Sequence, residues 1–165
     1  MHAEYRLATA EDLEKLWNRN IAEHPDDPRW KQWKTEYIAN HLIGKSASFA
    51  VVIDGEPVGE GTLLFSGDCS AIGRRTALAD GVTVANVNAL RIRGEDEGQG
   101  HMSALVRLME RAAVERGYSR LTIGVEARET RNLAIYLHWG YTDFVMSAEE
   151  DGELVLYYAK RLNQA

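Results

Sequence analysis

The chain has 165 residues, 45% hydrophobic and 27% charged, which fits one folded domain over residues 1–165 and excludes a disordered, apolar-poor chain. Its 25 acids against 19 bases give a formal charge of -6, the wrong sign for neutralising nucleic-acid phosphates. Cys69 is the only cysteine, and no run approaches the ~18 apolar residues of a membrane span or the apolar stretch of a secretory leader, so a reducing, cytoplasmic protein with no membrane or nucleic-acid partner is expected.

In chain order, residues 4–8 predict a short strand. Thr9 then offers an N-cap hydroxyl with Asp12 at the third helical position, and Leu13, Leu16, Trp17 and Ile21 give the following helix one apolar stripe. Asp27-Pro28 repeats the start signal, a capping acid with proline at the first helical position. Trp30, Trp33, Tyr37, Ile38 and His41 recur at helical spacing up to Gly44. Aromatics at that spacing fit core packing, with the lining of a substrate cleft as the alternative. Residues 48–53, the Asp54-Gly55 pair and residues 57–65 read as a β-hairpin.

Residues 67–80 lack periodicity and read as an irregular connection, and 82–93 read as a strand. Ala104, Leu105, Leu108, Met109 and Ala112 share one face of a helix that stops at Gly117. A short buried strand over 121–125, a helix over 130–139 ended by Gly140, and a final strand over 154–159 complete the chain. The Glu149-Glu150-Asp151 run before that strand reads as a solvated turn. This order predicts an α/β (α+β) fold, a mixed and mostly antiparallel central sheet flanked by helices.

The chemistry concentrates between residues 92 and 103. A helix N-terminus has unpaired N–H groups and the positive end of a dipole, so a glycine turn leading into one can hold phosphate oxygens on backbone donors. Gly98 and Gly100 permit that approach; a tight turn and nothing more is the alternative. Glu95, Asp96 and Glu97 oppose an incoming polyanion, since like charges ~4 Å apart repel by about 1 kcal/mol in water and about 4 at an effective dielectric near 20. Either these acids face solvent, or neighbouring Arg91, Arg93, Arg128 or Arg131 compensates them, or they cap the same helix themselves. His2, His24, His41, His101 and His138 show no metal-ligand spacing, and no metal is expected.

Glu97-Gly98-Gln99-Gly100-His101-Met102, set between a strand and a long helix, resembles the acetyl-CoA signature of the GNAT superfamily of N-acetyltransferases, Gln/Arg-x-x-Gly-x-Gly/Ala. Gly100 matches, while Glu97 and Met102 depart. Tyr136-x-x-x-Gly140-Tyr141 is similar to that family's Tyr-x-x-x-Gly-Phe, at the family's separation; the position of its frequent asparagine, four residues after Val125, departs with Glu129, and Asn132 lies one turn on. The opening Arg6-Leu7-Ala8-Thr9 with Asp12 fits as well.

The resemblance implies acetyl-CoA as cosubstrate, its pyrophosphate on the backbone N–H groups of Gly98, Gln99, Gly100, His101, Met102 and Ser103, with Asn132 also at the cofactor. It implies the pantetheine arm along the strand ending near Ile92 and Arg93, where a backbone N–H can stabilise an oxyanion. Tyr136 would protonate the departing thiolate, since a phenol with a pKa near ~10 is neutral at pH 7; a core role is its alternative. The implied reaction is direct acetyl transfer to a primary amine on a small molecule or peptide, and the sequence is compatible with a homodimer. Glu60 and Glu126 are candidate general bases, each with a solvated strand position as the alternative. Met102 reads more readily as a gap-filling core residue. The competing function is a non-catalytic acyl-CoA-binding or protein-interaction module on a degenerate version of the same fold.

Overall fold

A computed structural model describes residues 1–163. Its elements are β1 (Ala3–Leu7), α1 (Ala10–Glu23), α2 (Arg29–Ile43), β2 (Ser46–Ile53), β3 (Glu56–Leu64), β4 (Val84–Ile92), a 3-10 turn at Gly94–Asp96, α3 (His101–Glu115), β5 (Arg120–Glu126), α4 (Thr130–His138), β6 (Asp143–Glu150) and β7 (Glu153–Arg161). The strands hydrogen-bond in the order β1-β2-β3-β4-β5-β7-β6. β4 and β5 run parallel, and β1–β2, β5–β7 and β6–β7 are antiparallel, as the mixed, mostly antiparallel expectation requires. Two compact units share the chain: Met1–Leu63 with Ala89–Met109, and Leu64–Asn88 with Glu110–Ala165, so β4 and α3 each contribute to both.

In the first unit, α1 starts as its sequence dictates. The Thr9 side chain accepts from the Asp12 N–H at 3.0 Å, and the Asp12 carboxylate accepts from the Thr9 N–H at 3.0 Å, a reciprocal capping box. The start of α2 differs from expectation: the helix begins at Arg29, Pro28 occupies the N-cap with no side-chain cap, and Asp27 accepts from the Arg29 N–H at 3.0 Å. Proline has no N–H to engage, so the acid caps the first residue that does. The β2–β3 hairpin turns on Asp54 (φ 51°) and Gly55 (φ 83°), both positive as a type I′ turn demands.

β3 is buried on both faces. Gly59 and Gly61 leave room for α3: a Cβ on Gly61 would lie 2.8 Å from the Met109 sulfur, and one on Gly59 would lie 3.3 Å from the Met102 terminal methyl. On the alternate positions Glu60 faces α1, where it accepts from Asn20 Nδ2 at 2.9 Å. Trp17, Trp30 and Tyr37 form one aromatic cluster, with Trp17 and Tyr37 buried, so core packing accounts for the aromatic helix.

In the second unit the irregular segment after β3 ends in an anion-shaped loop. The Asp80 carboxylate accepts from the N–H groups of Val82 (2.9 Å), Thr83 (2.7 Å) and Val84 (2.9 Å) and from the Thr83 hydroxyl at 2.7 Å. These donors explain why β4 begins at Val84 and not at 82. Partial burial pushes the Asp80 carboxyl up, but the four hydrogen bonds outweigh it and hold the group far below the usual carboxylate range. A lowered folded pKa stabilises the protein above the unfolded value near ~3.9 and loses that contribution as pH falls through the folded value. Asp80→Ala is therefore expected to cost about 1 to 2 kcal/mol at pH 7. The gap between variant and wild type, read by thermal melts, should narrow steadily below pH ~4; a gap independent of pH would refute this account.

β6 was not anticipated as a strand. It pairs along β7 from Asp143↔Ala159 to Glu150↔Glu153, with a register irregularity between Phe144 and Met146. Glu149 and Glu150 belong to it, so the expected solvated turn shrinks to Asp151 (φ 53°) and Gly152 (φ 80°), a second type I′ pair.

Candidate functional site

The segment from β4 into α3 carries the sequence-derived site, and all of Ile92, Arg93 and Gly98 through Ser103 lie in the first unit. Within β4, Ala89 takes φ 55°, a region that costs a non-glycine residue about 1–3 kcal/mol and persists only where the surroundings impose it. The β4–β5 ladder runs only from Val84↔Arg120 to Val87↔Ile123, so it stops just before that residue.

Successive residues of a strand point their N–H groups to opposite edges. The Arg93 N–H donates to the Val58 carbonyl of β3 at 2.9 Å. That corrects one sequence expectation: the Arg93 amide is engaged by the sheet and is not an oxyanion donor. By the same alternation the Ile92 N–H points to the edge away from β3. The Arg93 side chain is also engaged, donating through Nε to Asp96 Oδ2 at 2.7 Å and pairing with Glu95 Oε1 at 3.1 Å. Of the three arrangements left open for the acids, the structure shows compensation of Glu95 and Asp96 by Arg93 and solvent exposure of Glu97. Among the described residues no acid side chain accepts from the N–H groups of residues 98–103.

The turn itself is open. Gly98 (φ 74°) and Gly100 (φ 84°) occupy the left-handed region, and nothing lies within 4 Å of where their Cβ atoms would be. The first rung of the α3 ladder is the Ala104 N–H to the Gly100 carbonyl at 3.1 Å, which leaves the N–H groups of His101, Met102 and Ser103 ahead of the ladder. Backbone donors at an open turn, with Glu95 and Asp96 paired to Arg93 and Glu97 exposed to solvent, suit a pyrophosphate.

Side chains there turn elsewhere. His101 is buried with Nδ1 2.8 Å from the Tyr5 hydroxyl, Met102 packs toward Gly59, and Ser103 accepts from Arg107 at 2.6 Å. Gln99 donates to the Glu95 carbonyl at 3.4 Å. What these residues leave unengaged is backbone N–H groups. Met102, a departure from the family signature, is accommodated because β3 has glycine beneath it.

Asn132 and Tyr136 lie on α4 in the second unit. Asn132 Nδ2 donates to Glu129 Oε2 at 2.6 Å, which ties it to the start of its own helix. Tyr136 is half-buried with its ring 5.7 Å from that of Trp139. Burial, helped by the Glu129 charge, raises its phenol pKa, so the hydroxyl keeps its proton at neutral pH.

The candidate bases are both paired. Glu60 is buried, holding Asn20 and accepting from Arg91 Nη2 at 3.3 Å, while the Arg91 guanidinium sits 4.8 Å from the Trp17 ring centroid and 5.2 Å from that of Trp30. Glu126 is bound by Arg128 Nε at 3.0 Å. Glu60 is thus not the solvated strand acid of the alternative reading, whereas the Glu126 pair is exposed.

The sequence reading missed a third carboxylate cluster, Glu150 with Tyr157 and Arg75, because it read Glu150 as part of a turn. Asp151-Gly152, the same dipeptide that flags the first hairpin, was the available signal. Among the described residues there is no group of three or more potential metal ligands, and no helix is long and apolar enough to cross a membrane.

No curated protein matches the chain. Among solved structures, an N-acetyltransferase from Staphylococcus aureus Mu50 shares the fold with a TM-score of 0.73 at 14% identity, over 99% of this chain and 100% of that one. A ribosomal-protein-alanine N-acetyltransferase from Brucella melitensis superposes with a TM-score of 0.72 at 16% identity, over 96% and 99% of the two chains. The PaiA N-acetyltransferase from Thermoplasma acidophilum, solved in complex with coenzyme A, gives 0.65 at 16% identity, over 98% and 99%. The sequence model of the acetyltransferase (GNAT) family matches residues 7–141. The chain belongs to the GNAT acetyltransferase family, enzymes whose cosubstrate is acetyl-CoA.

Proposed function

We propose that the chain acts as one acetyltransferase domain over residues 1–165, transferring acetyl from acetyl-CoA to a primary amine by direct attack in the cytoplasm. The observation that carries this reading is the open Gly98–Gly100 turn running into the unladdered N–H groups of α3. Acetyl-CoA supplies the activated acyl group. The chain's own part is divided between backbone and side chain. N–H groups of residues 98–103 hold the pyrophosphate, the outward Ile92 N–H receives charge developing on the carbonyl oxygen, and the Tyr136 hydroxyl gives its proton to the leaving sulfur. Arg93 contributes by neutralising Glu95 and Asp96 beside the cradle. Glu60 is held in a buried ion pair and Glu126 in an exposed one, and the proton of the attacking amine leaves to solvent.

Calorimetric titration tests the cradle. A β-branched side chain at φ 84° is strained by about 1–2 kcal/mol, so Gly100→Val should weaken acetyl-CoA roughly 5- to 30-fold as the turn relaxes out of its binding shape. Equal affinity in the two proteins would remove the turn from the binding site.

A further inference from the structure

Residues 97–100 at the glycine turn are exposed, and the two residues that bound them, Asp96 and His101, are buried polar side chains. With Gly98 and Gly100 both in the left-handed region and nothing near their Cβ positions, the turn is held by its ends. The upstream end is fastened by Arg93, which donates through Nε to Asp96 Oδ2 at 2.7 Å. The downstream end is fastened by His101, whose Nδ1 lies 2.8 Å from the Tyr5 hydroxyl in the middle of β1, with the two rings tilted by 44°.

His101 also sets where α3 starts and how it is aimed. It is the first residue of the helix, and the next one, Met102, packs toward Gly59 of β3. β1 and β3 are not neighbours in the sheet, because β2 lies between them. Consecutive side chains thus tie the helix start to two separated strands, where a single tie would let it pivot. The N–H groups so directed are those of His101, Met102 and Ser103, which stand ahead of the helix ladder. All of these residues belong to the first unit.

The tie comes at a cost in stability. His101 is buried, and its Nε2 has no hydrogen-bond partner among the described residues. Either tautomer gives the same result: if Tyr5 donates to Nδ1, Nε2 carries an orphan N–H, and if Nδ1 donates to Tyr5, Nε2 is an orphan acceptor. A buried polar atom without a partner destabilises the fold, and a leucine here would fill space without one. Packing alone therefore does not account for an imidazole, whereas a directional bond to Tyr5 does. The family signature leaves this position unspecified, so it does not call for one either.

We infer that the Tyr5–His101 hydrogen bond positions the cofactor cradle, holding the first N–H groups of α3 in their pyrophosphate-binding direction at the expense of stability. The inference rests on the acetyl-transfer reading for the identity of the ligand. Tyr5 and the His101 ring are positioning groups, acting through the backbone that follows them.

The test is calorimetric titration with acetyl-CoA, with thermal melts alongside, on wild type, His101→Leu, Tyr5→Phe and the double variant. Loss of one hydrogen bond's worth of preorganisation predicts roughly three- to tenfold weaker binding by each single variant. The double variant should bind no more than about twofold worse than the weaker single one, because the two substitutions remove the same interaction. Stability should part from affinity. His101→Leu deletes the orphan and should melt at or above the wild-type temperature, whereas Tyr5→Phe strands both ring nitrogens and should melt lower by roughly 2–6 °C. A purely structural pair would make affinity follow melting temperature across the set, and that result overturns the inference, as do independent, multiplying losses in the double variant. Should Tyr5→Phe not fold, His101→Leu decides alone: affinity equal to wild type overturns the inference. If wild type itself fails to bind acetyl-CoA, the acetyl-transfer reading falls and the cofactor role of the pair with it. Intact wild-type binding that is weakened by Gly100→Val and untouched by His101→Leu would defeat the positioning pair and leave that reading standing.

Discussion

Replacing Tyr136 by Phe should lower the acetyl-transfer rate constant roughly 100-fold or more while leaving acetyl-CoA affinity within about a factor of two. General acid catalysis is worth about 10²- to 10⁴-fold, and removal of one hydroxyl deletes the proton source and little else. The half-buried ring keeps its contact with Trp139 in the variant, so folding should be unaffected. A raised phenol pKa also sets the pH behaviour: burial keeps the hydroxyl protonated past its ordinary ~10, so turnover by wild type should not fall on the alkaline side until above that value. Steady-state kinetics on both proteins check each part. Unchanged turnover in Tyr136→Phe would return the residue to a packing role.

The second large effect is on stability. Glu60→Ala removes the carboxylate from a site where only 3% of its side chain is exposed, leaving Asn20 without its acceptor and Arg91 between Trp17 and Trp30 without its counter-charge. Breaking a fully buried pair costs about 3–5 kcal/mol, and the 30% exposure of Arg91 lowers that to about 2–4. Melting temperature should fall by roughly 5 to 15 °C. Glu60→Gln, which still accepts from Asn20, should lose less and should leave the pH dependence of turnover unchanged. If Glu60 were the general base, the Gln variant would instead be stable and nearly inactive.

The parts of the fold set by local chemistry are legible in the chain. The Thr9–Asp12 box, the Asp54-Gly55 turn and the stop at Gly117 each depend on residues within a few positions of one another, and each stands as expected. β6 is harder to see because it is a sheet edge: none of its residues is buried, the irregularity between Phe144 and Met146 breaks its alternation, and its pairing to β7 turns on one Asp-Gly pair. The start of α2 was displaced by one residue because Asp27 caps from outside a proline that has no amide.

At the candidate site, the glycine turn could be read from the sequence, but the engagement of each donor could not. Whether the Arg93 amide is free depends on the β3–β4 pairing that brings the Val58 carbonyl to it. The fit of Met102 depends on Gly59, more than forty positions away in the chain. Glu60 looked like a strand acid because Asn20 and Arg91, the residues that bury it, come from other elements.

The most direct test of the account is release of free CoA thiol from acetyl-CoA on adding a panel of primary amines, with the acceptor identified by mass spectrometry. Amine-dependent thiol release matched one for one by N-acetylated amine is the predicted result. Tight acetyl-CoA binding with no thiol released beyond background hydrolysis for any amine would contradict it, and would make the protein a binding module on an acetyltransferase fold.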